Sequence, residues 1–139
     1  IKLPMRCHGL RRIPGGPGVT LNNLIEKLTA GGQFKILNKG TDVEREVTGT
    51  YCCDLLSIAM SRAPEGCAWV TVMGNINTLA VAALTDAACI ILAEGVTLDE
   101  PAAQKAGAQD ITVLRTEQPV FESALEIHRA LQTEESAKD

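Results

Sequence analysis

Three short runs of apolar residues constrain this chain more than any other feature. They occupy residues 67–73, 89–92 and 111–114, and a segment with helical spacing follows each one. Strands that are apolar throughout, rather than alternately apolar and polar, are typical of a parallel sheet with helices on both faces. The runs therefore predict an α/β fold with three layers (α/β/α) and a mainly parallel sheet in the middle.

Side chains that can cap helices delimit the other elements. Thr20 and Asp54 each precede a segment with helical spacing, and their oxygen atoms can accept free backbone N–H groups of a first turn; Asp99 opens a further helical segment. Glycine and proline mark where several helices begin or end. The predicted helices are 21–30, 55–63, 78–87, 99–107 and 119–132, and the additional predicted strands are 34–37 and 47–53.

The chain divides into one domain with a short segment on each side. Residues 1–19 carry four basic and no acidic side chains and have no regular periodicity. They are predicted to be a basic tail, either an arm that docks on an acidic partner or sequence that is not native to the protein. Residues 20–134 are predicted to form the domain, and residues 135–139 a polar tail. Nine basic and seventeen acidic side chains follow residue 19, a balance that disfavours nucleic acid as a partner.

Cysteine usage and hydropathy indicate the cellular environment. The chain has five cysteines, an odd number without a CxxC pair, which disfavours a secreted disulfide framework. The longest apolar run, residues 87–93, is far too short to span a membrane, and the sequence has no signal-peptide pattern. We expect a cytoplasmic protein with no membrane partner.

Motifs for the common catalytic and cofactor sites are missing from the sequence. It contains no GxxxxGK[ST], GxGxxG or GxSxG segment, the patterns of phosphate loops, dinucleotide sites and serine hydrolases. Histidines and carboxylates do not cluster, so neither a metal site nor a cofactor is predicted. We expect a protein that is not an enzyme.

Three loops form the predicted ligand site. Ligands of parallel sheets bind where the strands end, and residues 73–77, 93–97 and 115–118 follow the predicted strands. The first loop is the strongest candidate, because Gly74 permits a close backbone approach. The N–H groups that begin the next helix also suit an anion or a polar head group.

The side chains of these loops favour binding over catalysis. Asn75 and Asn77 can donate and accept hydrogen bonds, but they supply no acid, base or nucleophile. The alternative is that Asn77 only caps the next helix. The candidate ligand-binding residues are Thr71, Gly74, Asn75, Asn77, Glu94, Gly95 and Thr116.

Cys53 is the one cysteine whose position suggests chemistry. It precedes the predicted cap Asp54, and a thiol near a helix N-terminus gains thiolate character, although the carboxylate opposes this effect. Cys67 and Cys89 are predicted to be core residues. Cys53 is therefore either structural or a redox-sensing thiol.

Five ordered segments resemble the DRTGG domain family, and the likeness covers roughly residues 20–132. The segments are EREVTG (44–49), CDLLS (53–57), WVTVMGN (69–75), AVA (80–82) and IILAEG (90–95). The resemblance implies a fold like the N-terminal domain of HPr kinase/phosphorylase and the small N-terminal domain of some Mur ligases. It also implies a non-catalytic regulatory module that often forms dimers.

The variant form of these segments is similar to the free-standing branch of the family in anaerobic bacteria. That branch is often encoded beside iron hydrogenases, so the resemblance implies a redox enzyme or a sensor kinase as a partner. Alanine-rich helices, which permit close packing, also favour a homodimer.

The motif that gives the family its name is altered in this chain. Asn75-Ile76 stands in place of Asp-Arg, and Ala93-Glu94-Gly95 stands in place of Thr-Gly-Gly. Loss of the arginine and addition of a carboxylate remove the donors that would hold a phosphate there. The leading hypothesis is a regulatory, homodimeric domain that senses a ligand or partner as an accessory to an anaerobic redox system. The alternatives are a thiol-based redox sensor using Cys53 and a nucleotide- or phosphate-binding module.

Overall fold

A five-stranded sheet forms the middle layer of the domain. The computed structural model describes residues 18–132. The strands are β1 (Phe34–Asn38), β2 (Gly49–Cys52), β3 (Cys67–Thr71), β4 (Cys89–Leu92) and β5 (Thr112–Thr116). Their order across the sheet is β1-β5-β4-β3-β2; β1 is antiparallel to β5, and the other pairs are parallel. The prediction of a mainly parallel sheet is confirmed.

Helices cover both faces of this sheet. They are α1 (Leu21–Ala30), α2 (Leu56–Arg62), α3 (Ile76–Thr85), α4 (Glu100–Ala108) and α5 (Val120–Ala130). Buried side chains of α1 and α5 pack on one face, and those of α2, α3 and α4 pack on the other. The domain therefore has the three-layer α/β/α architecture that the sequence predicts.

The position of the central strands between two layers of helices explains why their sequences are apolar throughout. Every residue of β3 and β4 is buried, because helices lie on both sides of the sheet. In β3, Ala68 and Val70 face α1 and α5, whereas Cys67 and Trp69 face the other helix layer. The Trp69 indole Nε1 donates to the Cys53 carbonyl oxygen at 3.0 Å, so the only polar atom of this buried side chain is satisfied.

The predicted cap Thr20 is present, Asp99 caps the helix that was predicted to begin at it, and helix α3 begins earlier than predicted. The Thr20 hydroxyl accepts the Asn23 N–H at the start of α1, and Asp99 accepts the Ala102 N–H at the start of α4. Helix α3 begins at Ile76, two residues before the predicted start, because its cap is the preceding asparagine. The ends of β2, β3 and β5 also differ from prediction by one or two residues.

Asp54 does not cap α2, so this prediction was wrong. The N-cap of α2 is Leu55, which makes no side-chain capping bond. Instead, Asp54 Oδ1 accepts the Thr71 hydroxyl at 2.7 Å and the Val72 N–H at 3.0 Å. The carboxylate thus ties the end of β2 to the end of the neighbouring strand β3.

The limits of the domain lie mostly outside the described residues. The predicted tail at 135–139 and all but two residues of the predicted tail at 1–19 are not described. Val19 is buried in the core, and its carbonyl oxygen accepts the Val47 N–H at 2.9 Å. Within residues 18–132, no helix is long and apolar enough to cross a membrane.

Candidate functional site at the carboxyl edge of the sheet

The three predicted loops meet at one edge of the sheet, where β3, β4 and β5 end. The Asp99 N–H donates to the Gly74 carbonyl oxygen at 3.1 Å and links the first loop to the N-cap of α4, two residues after the second loop. The second and third loops are joined by the Glu94 N–H donating to Gln118 O and the Gly95 N–H donating to Thr116 O. The carboxyl edge is therefore one continuous surface held by backbone hydrogen bonds.

Gly74 is required for packing within this edge. A Cβ atom at position 74 would collide with the carbonyl oxygen of Thr97, which is backbone and cannot easily move. The close backbone approach expected for a ligand is thus made by the second loop. Thr71 is also internal, since it is fully buried and its hydroxyl donates to Asp54.

Asn75 is the N-cap of α3. The alternative interpretation of the sequence had assigned this role to Asn77. Asn75 Oδ1 accepts the N–H groups of Asn77 and Thr78 at 3.0 and 3.2 Å. Two of the N–H groups expected to point at a ligand are therefore already paired. Asn77 is exposed in the first turn of α3, where its side chain is accessible from solvent.

Glu94 has a structural partner at the second loop. Glu94 and Gly95 both have left-handed backbone conformations, with φ values of 61° and 77°. This turn places the Glu94 carboxylate at the start of α5, where Oε2 accepts the Val120 N–H at 3.1 Å. Thr116 is buried, and its hydroxyl accepts the Gln118 N–H.

Arg115 and Lys35 are two basic residues at this edge that the sequence interpretation missed. Arg115 is the penultimate residue of β5, and Lys35 lies directly opposite it on β1. A cavity of about 240 Å³ is lined by both residues together with Gly31, Gly32 and Glu117. The sequence did carry one signal, a lone arginine in the otherwise uncharged segment TVLRT. That Lys35 lies beside this arginine could not be predicted without the strand order.

Cys53 lies near this edge, two residues before the N-cap of α2 at Leu55. It is half-buried, and its Sγ donates to the Leu55 carbonyl oxygen at 3.4 Å. Burial, and then the hydrogen bond with Cys53, raise the pKa of Tyr51 to about 12. Desolvation, and then Asp54 and Cys53, raise the pKa of Cys52. A sensing role for Cys53 stays a prediction.

Cys67 and Cys89 are core residues, as predicted. Both are fully buried, and burial raises the pKa of each thiol to about 12. Among residues 18–132, no group of three or more His, Cys, Asp or Glu side chains could hold a metal ion.

A second cavity, of about 250 Å³, lies at the opposite edge of the sheet, where β4 and β5 begin. Its main feature is an ion pair in which Arg45 Nη1 and Nη2 each donate to a carboxylate oxygen of Asp86 at 3.1 Å. Partial burial lowers the pKa of Arg45, but the hydrogen bond and charge of Asp86, together with the charges of Asp42 and Glu65, outweigh burial and raise it. This pair fastens the β1–β2 connection to the end of α3.

Comparison with known proteins identifies a related fold. No family model matches the chain, and no curated protein sequence matches it. The chain is similar in structure to the CBS and DRTGG domains of the regulatory region of Clostridium perfringens pyrophosphatase, crystallised with its activator diadenosine tetraphosphate. The TM-score is 0.66 at 16% sequence identity, and the match covers 85% of this chain and 50% of that one.

This likeness establishes the fold. The chain spans about half the length of the pyrophosphatase regulatory region that it matches. Its α/β/α domain is thus of the kind found in a CBS- and DRTGG-containing regulatory region, in agreement with the resemblance noted in the sequence.

Proposed function

We propose that the chain is a non-catalytic regulatory module that senses a small ligand at the carboxyl edge of its sheet. The observation that carries this proposal is the fold likeness over 85% of the chain to a regulatory region bound to its activator. Parallel sheets bind ligands where the strands end, and the loops at that edge form one connected surface.

Two carboxylates of this edge are engaged in structural hydrogen bonds, which favours binding without turnover. Asp54 accepts two hydrogen bonds from the end of β3, and Glu94 accepts an N–H at the start of α5. A general base must reach the substrate proton that it removes. Side chains already engaged in holding strands and helices together are poorly placed for that task.

A thermal-shift panel of nucleotides and phosphorylated metabolites tests the proposal on the full 139-residue chain. A ligand at one hundred times its Kd stabilises the folded state by about 2.7 kcal/mol, so we expect a saturable rise in Tm. Asn77→Ala removes an exposed polar side chain from the first loop and should weaken binding. Asn23→Ala, at an exposed position in the first turn of α1, is the matched control. A panel without any stabilising ligand would contradict the proposal.

We also propose that the module is a homodimer that associates through α2 and α3. These two helices pack against each other, and α3 carries no charged residue. Their exposed apolar side chains are Leu55, Ile58, Met60, Ile76 and Leu84. Arg62, in the last turn of α2, is the single charged residue of these two helices. A surface with so little charge offers little to a charged partner but matches a second copy of itself, which is the requirement of a two-fold interface.

Sedimentation velocity at micromolar concentration tests the dimer. Leu84 is 73% exposed on α3, and Leu84→Asp should convert the dimer to a 14.8 kDa monomer. Phe121 is 68% exposed on α5, in the other helix layer, and Phe121→Asp should leave the dimer intact. A wild-type chain that sediments only as a monomer would contradict the proposal.

The thiol hypothesis and the redox partner stay predictions from the sequence. Iodoacetamide labelling of native protein against pH tests the first: a fast thiol that is lost in Cys53→Ser would support a sensing role. Identical labelling of the two proteins would assign Cys53 a structural role. A redox enzyme or sensor kinase as partner rests on the family resemblance alone.

A further inference from the structure

We infer that Lys35 and Arg115 form an anion site for a phosphoryl or diphosphoryl group at the carboxyl edge of β5. This inference rests on the proposed function and names the chemical class of the ligand and the side chains that hold it. The site is separate from the first loop, where the family resemblance places the altered Asp-Arg pair.

The strand register brings the two cations together. Lys35 and Arg115 are direct partners in the antiparallel pair of β1 and β5, so their side chains project from the same face with Cβ atoms roughly 5 Å apart. Like charges directly opposite each other are unfavourable in a sheet. An anion bound between them would relieve this repulsion.

Arg115 is held in a fixed position and still has N–H groups that can bind a ligand. Its Nη2 donates to the Gly95 carbonyl oxygen at 2.7 Å, and its Nε donates to the Val96 carbonyl oxygen at 3.4 Å. Within residues 18–132, neither Arg115 Nη1 nor Lys35 Nζ takes part in a hydrogen bond. A guanidinium fixed by carbonyl groups is already ordered, so it loses little side-chain entropy when an anion binds.

The cavity beside these groups limits the size of the ligand. Its volume is about 240 Å³, and the Gly31–Gly32 turn forms part of the wall without side chains. Pockets that enclose whole drug-sized molecules have volumes of roughly 300–1,000 Å³. The cavity therefore suits one or two phosphoryl groups, with any larger part of the ligand lying outside.

Glu117 is the internal competitor for this site. Its Oε2 accepts from Arg115 Nη2 at 2.9 Å, although the side chain is 80% exposed. An exposed ion pair of this kind contributes little to stability. Glu117 can therefore swing into solvent at small cost when a more highly charged anion arrives.

Isothermal titration of the full chain at low ionic strength tests the site, with inorganic phosphate, pyrophosphate and ADP as separate probes. Lys35→Gln should weaken pyrophosphate binding roughly three- to tenfold, and Glu117→Gln should strengthen it by a similar factor. Lys39→Gln changes an exposed lysine beyond the other end of β1 and should leave affinity unchanged. Arg115→Ala is avoided as the main test because Arg115 also holds the second loop.

The outcomes separate this inference from the proposed function. Opposite effects of Lys35→Gln and Glu117→Gln on pyrophosphate affinity would support the site. Stronger binding of ADP than of pyrophosphate would identify a nucleotide as the source of the phosphoryl groups. Equal affinities in wild type and both variants, or no binding of any probe, would overturn the anion site. A ligand from the thermal-shift panel that still binds in that case would leave the regulatory proposal standing.

Discussion

Removal of the Asp54 carboxylate should destabilise the domain far more than its exposed position suggests. Its Oδ1 accepts the Thr71 hydroxyl at 2.7 Å and the Val72 N–H at 3.0 Å. In Asp54→Ala, water can reach the Val72 N–H but not the fully buried Thr71 hydroxyl. The perturbation therefore leaves a buried donor without its acceptor.

The expected magnitude follows from these two bonds. A buried polar group without a partner costs about 1–3 kcal/mol, and the exposed bond to Val72 contributes less than a buried one. We expect Asp54→Ala to lower the free energy of unfolding by about 2 kcal/mol, which is a fall in Tm of roughly 8 °C for a domain of this size.

Urea denaturation followed by circular dichroism measures this loss. Glu44→Ala removes an exposed carboxylate in the β1–β2 connection and should change stability by less than about 0.5 kcal/mol. Adding Thr71→Val to Asp54→Ala removes the unpaired hydroxyl, so the double variant should lose about 1 kcal/mol less than the sum of the single losses. Equal losses for Asp54→Ala and Glu44→Ala, or strictly additive effects, would refute the proposed link between β2 and β3.

The remaining predictions concern the first loop and the buried thiols. Gly74→Ala should lower stability by about 1–3 kcal/mol in urea denaturation, because its Cβ would collide with Thr97. Gly107→Ala, in α4 with open space around it, should instead raise stability by about 0.5–1 kcal/mol. Cys67 and Cys89 have pKa values raised from 9 to about 12, so the folded state holds protons that the unfolded state releases. The free energy of unfolding should therefore keep its full value below pH 9 and fall between pH 9 and 12. The fall should be less steep in Cys89→Ala. A urea midpoint that does not depend on pH in this range would contradict the burial of these thiols.

Local signals in the sequence were sufficient to predict much of the fold. The strand at 89–92 has the predicted bounds, because a fully apolar tetrapeptide between turn residues admits few other structures. The cap at Thr20 was predicted, and the start of a helix was placed at Asp99, because a capping side chain and its N–H partner are three residues apart. In such cases the interacting groups are close in sequence.

Interactions between distant residues account for what was missed. The Asp54 carboxylate reaches Thr71, seventeen residues away, so a local capping rule assigned it to the wrong partner. Lys35 and Arg115 become neighbours only because β1 adds to the sheet in antiparallel orientation beside β5. That strand order depends on how whole elements pack, and no short segment of the sequence encodes it.

Recovery of the bound ligand tests the central claim, regulation without catalysis, most directly. The full chain would be incubated overnight with the ligand that gives the largest thermal shift, and the small molecules would then be separated and quantified by chromatography. The account predicts stoichiometric binding by titration and complete recovery of the unchanged ligand. Conversion of the ligand to product by folded wild type, and not by heat-denatured protein, would contradict it.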